Sequence, residues 1–155
     1  MPRSRLSQLV KSNQRFPRTR SRAAPPLRKN SVRLAIYSFM FGPKMKAACP
    51  MCSSIIDALN ATVVHGSQRV NLAFVAKSPL ERIRTFARER GWNRLRLLSS
   101  SSNNYNRDYY GENSEGGQQP SLNVFVRRNG KVHHFSIPSF SWSRPSRGRT
   151  SATST

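Results

Sequence analysis

Two apolar runs constrain this chain more than any other feature: LAIYSFMF at residues 34–41 and VNLAFVA at residues 70–76. Neither alternates polar with apolar residues as a half-exposed strand does. Each is apolar nearly throughout, the pattern of a strand covered on both faces in a parallel sheet. Parallel neighbours cannot be joined by a tight turn and need a crossover, usually a helix. The intervening segment supplies one, because Ile55, Ile56, Leu59, Val63 and Val64 recur at helical spacing over residues 53–65.

The same logic continues downstream. Ser78 reads as an N-cap, Pro79 as the first helical residue and Glu81 as the capping-box partner. The helix so begun buries Leu80, Ile83, Phe86 and Ala87 and stops at Gly91, a C′ glycine. Its arginines, Arg82, Arg84, Arg88 and Arg90, read as a wet face. Residues 95–98 form a short strand, and 99–119 form a Gly/Asn/Ser-rich loop with one helical turn around 105–110. Strands at 121–127 and 131–137 meet at Asn129-Gly130, a type I′ hairpin signal. With the first strand taken as 32–41, the order is β-α-β-α-β-loop-β-β. It predicts an α/β sandwich with a mixed sheet, parallel strands at its centre and a C-terminal β-hairpin.

Charge divides the chain differently. The net charge is +21, from 27 Lys and Arg against 6 Asp and Glu. Residues 1–33 hold ten basic residues and no acid, and residues 139–155 hold three and no acid. The stretch 34–138 carries fourteen basic and six acidic residues, a net of +8. Residues 1–31 and 139–155, rich in Arg, Ser and Pro, are expected to be disordered tails flanking one domain at 32–138. No apolar stretch is long enough for a membrane span, and no apolar segment follows the basic N-terminus as in a secretory signal. The expected compartment is cytoplasmic. The alternative is the mitochondrial matrix, since an Arg- and Ser-rich, acid-free leader resembles a transit peptide.

The only two cysteines lie between the first strand and the first helix, as Cys49-Pro50-Met51-Cys52. A thiol at a helix N-terminus meets unpaired N–H groups and the positive end of the helix dipole. In C-x-x-C motifs this lowers a thiol pKa from about 8.5 to roughly 3.5–7.5. Cys49, at the loop–helix junction, is the candidate nucleophile, and Cys52, one turn in, the candidate resolving thiol. Pro50 stiffens the turn without removing a needed donor, and Lys44 and Lys46 add positive charge upstream. Neither a metal nor an organic cofactor is implied. Zinc would need a fourth ligand near Arg69, Val70 or Asn71 after His65, and none of these can serve. His133 and His134 are neighbours on a strand and point to opposite faces.

The chain resembles a thioredoxin-like family of predicted dithiol–disulfide oxidoreductases, the domain of unknown function 899 family. The segments that carry the resemblance are IYSFMFGP, CPMC, VNLAFVAKSPLERIRTFARERGW, LRLLSS, NNYNRDYYG and LNVFVRRNGKVHHF, in that order along residues 36–135. The resemblance implies a thioredoxin-like three-layer sandwich. It also implies a cis-proline facing the dithiol, a role that falls to Pro120, with substrate binding by Gln119, Pro120 and Ser121 beside Pro50 and Met51. Partners would be protein or small-molecule disulfides and thiols. Both flanks depart from the family pattern and the closing helix is missing, as in a chain whose ends are truncated or read in an altered frame. Residues 78–100 are similar to peroxiredoxins as well. A peroxidatic site, however, needs a hydroxyl in P-x-x-x-T-x-x-C, and here Pro43 is six residues before Cys49 with Ala47 and Ala48 between.

Two other readings stand beside this one. The first is a basic RNA-binding or ribosome-associated protein with inert thiols, its tails giving salt-dependent, non-specific phosphate affinity. The second is a degenerate, inactive fragment of a thioredoxin-like protein.

Overall fold

The computed structural model describes residues 33–129 and 131–137. Eight elements follow in order: β1 (Arg33–Ser38), α1 (Pro50–Gly66), β2 (Asn71–Ala76), α2 (Leu80–Glu89), β3 (Leu97–Ser99), α3 (Tyr105–Asp108), β4 (Ser121–Arg128) and β5 (Lys131–Ile137). They build one five-stranded sheet in the order β3-β2-β1-β4-β5. The β1–β2 and β2–β3 pairs are parallel, while β1–β4 and β4–β5 are antiparallel. This is the mixed thioredoxin-like sheet expected from the sequence, with the two apolar runs at its centre. The segments expected to be tails lie outside the described residues, as does the place where a closing helix would follow β5.

Strand alternation sorts the core into two clusters. Phe74, Ala76 and Leu97 point to the side where Ile56 and Val63 of α1 and Ile83 and Ala87 of α2 are buried. Ile36, Ala73, Val75, Leu98 and Phe125 point the other way, against Tyr105 and Tyr109 of the loop between β3 and β4. Both long helices therefore share one face, and α3 with its loop covers part of the other.

Several sequence expectations shift by a few residues, each for a local reason. β1 stops at Ser38, not at residue 41, because its partners run out: Ser38 faces Val75 on β2 and Ser121, the first residue of β4. Phe39 and Phe41 stay buried beyond the strand, where Phe39 stacks edge-on against Trp92 at 6.1 Å and Phe41 lies 5.3 Å from Phe86. On α1, Ile56 and Val63 are buried and Leu59 half-buried, but Ile55 and Val64 are exposed. Their positions fall outside the roughly 100°-wide stripe that faces the sheet.

Pro79, not Ser78, is the N-cap of α2. Ser78 is fully buried, its carbonyl accepting from Ser99 Oγ at 2.7 Å and its hydroxyl accepting from Arg82 Nη1 at 3.3 Å. Its side chain is thus used in the tertiary structure and does not cap the helix. The far end of α2 behaves as the sequence indicates. Gly91 has φ +71°, and Trp92 N–H and Gly91 N–H donate to Ala87 O (2.8 Å) and Arg88 O (3.1 Å), the two bonds of a Schellman motif. At the hairpin, Arg128 pairs with Lys131 and Asn129 has φ +49°, as a two-residue primed turn requires.

Candidate active site

The dithiol is placed by the end of β1. Past Ser38 the chain makes a loop and returns so that Cys49 N–H donates to Met40 O at 2.9 Å. Cys49 is the N-cap of α1, with φ −56° and ψ 128°, and Pro50 occupies the first turn. The Cys49 carbonyl accepts from Ser53 N–H at 2.9 Å and from Ser53 Oγ at 3.0 Å, which fixes the first turn at the cysteine. No side chain caps the helix, so its first N–H groups face the space beside Cys49.

The two thiols differ in surroundings. Both are free; Cys49 is half-buried and Cys52 is 1% exposed. The groups that act on the Cys52 thiol are Cys49, the Met40 main chain and the Tyr37 hydroxyl. Burial pushes the Cys52 thiol up, while the Met40 main chain and the Tyr37 hydroxyl pull the other way. Burial also raises the Tyr37 phenol, helped by the neighbouring Cys52, so Tyr37 keeps its proton throughout the physiological range. Tyr37 is inward on the helix-bearing face and packs edge-on against Phe74 with centroids 6.4 Å apart.

The loop that carries Cys49 is held by a residue the sequence pattern assigns to solvent. Arg82 is half-buried. Its Nη1 donates to Gly42 O and Pro43 O at 3.2 Å each, and its Nη2 donates to Met45 O and, at 3.2 Å, to Lys46 O. Its guanidinium lies 4.5 Å from the centre of the Phe41 ring. One planar fork thus gathers the carbonyls of the 42–46 turn and ties them to α2. Helical spacing gives no sign of this, because a loop's carbonyls are invisible to a periodicity argument. The other basic residues of α2 are also engaged: Arg84 and Arg88 pair with Glu81 at 3.3 and 3.7 Å, and Arg90 pairs with Asp57 of α1. Asp57 also accepts from Trp92 Nε1 at 2.6 Å; the Trp92 bond, with Arg90 beside it, holds its carboxyl below the usual range.

The remaining candidates divide. Pro50 and Met51 are exposed beside Cys49, Met51 at 69%. Gln119 and Pro120 are half-buried. Because Ser121 faces Ser38 across the β1–β4 ladder, Pro120 enters the sheet at the end of β1 from which the dithiol loop leaves. The loop is in contact there, with Gln118 packed against Gly42 so closely that a Cβ on Gly42 would lie 3.3 Å from Gln118 Cγ. Ser121 itself is 2% exposed and its hydroxyl donates to Tyr109 O at 3.2 Å on the opposite face. The expected cis bond at Pro120 is not found: no peptide among the described residues is cis. Gln119 N–H is engaged with Gly111 O at 3.0 Å, and Pro120 opens β4 as a trans proline at a strand start. His65 lies at the far end of α1 from Cys49. His133 is exposed, and His134 is half-buried with Nε2 2.8 Å from Asn123 Oδ1.

A β-α-β unit continued by an antiparallel hairpin in one mixed sheet is a thioredoxin-like fold, and here a thiol pair stands at the first turn of its first helix. The chain belongs to the family described as bacterial protein of unknown function (DUF899), whose family model matches residues 26–155. Among solved structures it is similar to a cysteine-to-serine mutant of Xanthomonas campestris peroxiredoxin Q, at 18% identity over 68% of this chain and 69% of that one, TM-score 0.48. It is also similar to an uncharacterized thioredoxin-like protein of Porphyromonas gingivalis (14% identity, 74% and 69% covered, TM-score 0.48). A third is a secreted Mycobacterium tuberculosis disulfide oxidoreductase (15% identity, 67% and 69% covered, TM-score 0.40). No curated protein matches the chain. No described helix is long and apolar enough to cross a membrane.

Proposed function

We propose that this protein is a dithiol–disulfide oxidoreductase in which Cys49 attacks and Cys52 resolves. The observation that supports it most is the asymmetry of the pair. One thiol sits half-buried at the N-cap of a 17-residue helix, and the other is buried one turn in. A Cys49 thiolate attacks one sulfur of a disulfide R–S–S–R′, forming Cys49–S–S–R and releasing R′S⁻, which takes up a proton. Cys52 then loses its proton and attacks the Cys49 sulfur. The Cys49–Cys52 disulfide forms, and RS⁻ leaves and is protonated. The protein is oxidised by two electrons and the substrate is reduced to two thiols; the reverse sequence oxidises a dithiol.

The surface beside Cys49 suits an extended polypeptide or small disulfide. Pro50 and Met51 lie on one side, and Met51 and Ile55, one helical turn apart, present exposed apolar surface. Gln119 and Pro120 complete the proposed substrate face from the sheet side. No Ser or Thr lies between Pro43 and Cys49, which argues against peroxide as the substrate.

Insulin reduction coupled to dithiothreitol tests the reading. Cys49→Ser is expected to abolish turnover, and Cys52→Ser to leave a mixed disulfide trapped on Cys49, visible by mass spectrometry. Turnover retained in Cys49→Ser overturns it.

A further inference from the structure

Charge in the folded domain is sorted along the strand axis. The dithiol lies past the C-terminal end of β1, and the opposite end of the sheet collects the starts of β1, β2 and β3 and the β4–β5 turn. Basic residues stand there strand by strand: Arg94 three residues before β3, Arg69 two residues before β2, Arg127 and Arg128 at the end of β4, and Lys131 at the start of β5. The registers set them on adjoining levels, since Leu34 pairs with Asn71, Arg33 with Val126, Arg127 with Val132 and Arg128 with Lys131. Four gaps of about 4.8 Å between neighbouring strands make the row roughly 19 Å long. Arg69, Arg127, Arg128 and Lys131 are exposed and Arg94 is half-buried, and none of the five is in an ion pair among the described residues. Arg33 and Arg96 stand in the row as well, with interactions of their own. The segments that build it, 67–73, 93–97 and 124–134, contain no acid. The exposed Glu89 at the end of α2 and the C-terminal ends of α1 and α2, each about half a negative charge, offset some two of the five cations and leave this end positive. Residues 1–32 bring nine more basic residues and no acid, and they join the sheet at this same end through Arg33.

We propose that this end of the sheet is a docking surface for the phosphate backbone of a nucleic acid duplex. The inference goes beyond the dithiol reading and does not depend on it, because the two sites lie at opposite ends of the strands. A row of fixed cations gains most from the densest polyanion. A duplex carries one charge per about 1.7 Å of its axis and releases the counterions condensed on it, whereas an extended acidic polypeptide carries at most one per about 3.3 Å. Four of the five cations are arginines, whose planar forks match phosphate oxygens two at a time. Single strands are held by aromatic side chains on which bases stack. The one Phe, Tyr or Trp in the segments that build the row, Phe125, is buried. Contacts to phosphate carry no sequence information, so the surface takes duplexes regardless of sequence and of sugar.

The test follows binding of the full chain to short fluorescent DNA and RNA duplexes of mixed sequence by anisotropy. Both duplexes are expected to bind alike, and affinity is expected to fall by roughly 10²–10³-fold or more between 50 and 200 mM salt, as about five phosphate contacts require. Arg127→Gln combined with Arg128→Gln is expected to weaken binding about tenfold or more at 100 mM salt and to lower the salt slope by about 2. Arg69→Gln, two strands away, is expected to lower the slope by about 1. Lys44→Gln combined with Lys46→Gln removes as much charge at the dithiol end and is expected to leave the affinity near the native value. Equal losses in the two double variants mean that net charge alone attracts the duplex and overturn the proposal. Native affinity and slope in the Arg127/Arg128 and Arg69 variants overturn it as well. So does tighter binding of a single strand or of poly-glutamate than of either duplex.

Discussion

The two faces of the sheet are held by different forces. On the helix-bearing face, Phe39, Phe41, Phe74, Phe86 and Trp92 are buried or half-buried together, the ring pairs among Phe39, Phe41, Phe86 and Trp92 having centroids 5.3–6.5 Å apart, and the buried side chains are almost all apolar. On the opposite face, fully buried polar groups sit among aromatics. Asn123 Nδ2 donates to Tyr109 O at 2.9 Å, Asn123 Oδ1 meets His134 Nε2, and Ser121 reaches the same Tyr109 carbonyl. Ser100 Oγ donates to Asn106 Oδ1 at 2.6 Å, and Gly111 N–H donates to Asn106 O at 2.7 Å. His134 stacks on Phe125 at 4.8 Å and meets Tyr109 edge-on at 5.2 Å.

The difference follows from what each face must hold. Two amphipathic helices bring their own apolar stripes, so dry packing suffices to fix the helix start where Cys49 sits. The polar segment 100–120 brings chiefly Tyr105 and Tyr109. Directional bonds from the sheet to its main chain set its path and bring Pro120 to the dithiol end of β1. Packing places the helix that starts at the dithiol, and hydrogen bonds place the segment that leads into Pro120.

The sharpest way to break this comparison is to hollow each face in turn. Phe39→Ala is expected to cost about 3–5 kcal/mol in urea unfolding. Phe135→Ala, on the 60%-exposed β5 position, should stay within about 0.5 kcal/mol. Asn123→Leu keeps volume but strips three polar partners on the far face. It is expected to cost roughly 1–3 kcal/mol for the groups left unsatisfied while Cys49 alkylation stays at the native rate. A variant as stable as the native chain would mean that bonding does not hold that face.

Arg82→Lys sharpens the picture of the dithiol loop. An ammonium cannot serve four carbonyls at once, so a loss of roughly 1–2 kcal/mol and faster amide exchange at residues 42–48 are expected even though the charge is kept. The smallest effect concerns pH. Burial lowers the His134 pKa, so between its folded value and the ordinary value near 6.5 the unfolded chain binds more protons. Stability should therefore fall as pH drops through that window and recover above it. His134→Gln should flatten the profile in thermal melts followed at about pH 5–7.

The central strands, both long helices, the Gly91 stop and the hairpin were all legible in the chain, because hydrophobic periodicity and turn chemistry are local properties. So was the position of the thiol pair between strand and helix. What the local pattern could not supply were the roles of groups whose partners lie far along the chain. Ser78 reads as a cap and is instead buried beside Ser99. Arg82 reads as solvated and instead gathers the 42–46 turn.

By itself, then, the sequence determined where the chain is extended, where it is helical and that two sulfurs lie between the first strand and the first helix, since each depends on neighbours within a turn or two. The tertiary structure alone decided which sulfur is buried, which residues surround it and which face is dry. A side chain's solvation and partners are set by elements distant along the chain that only folding brings into reach.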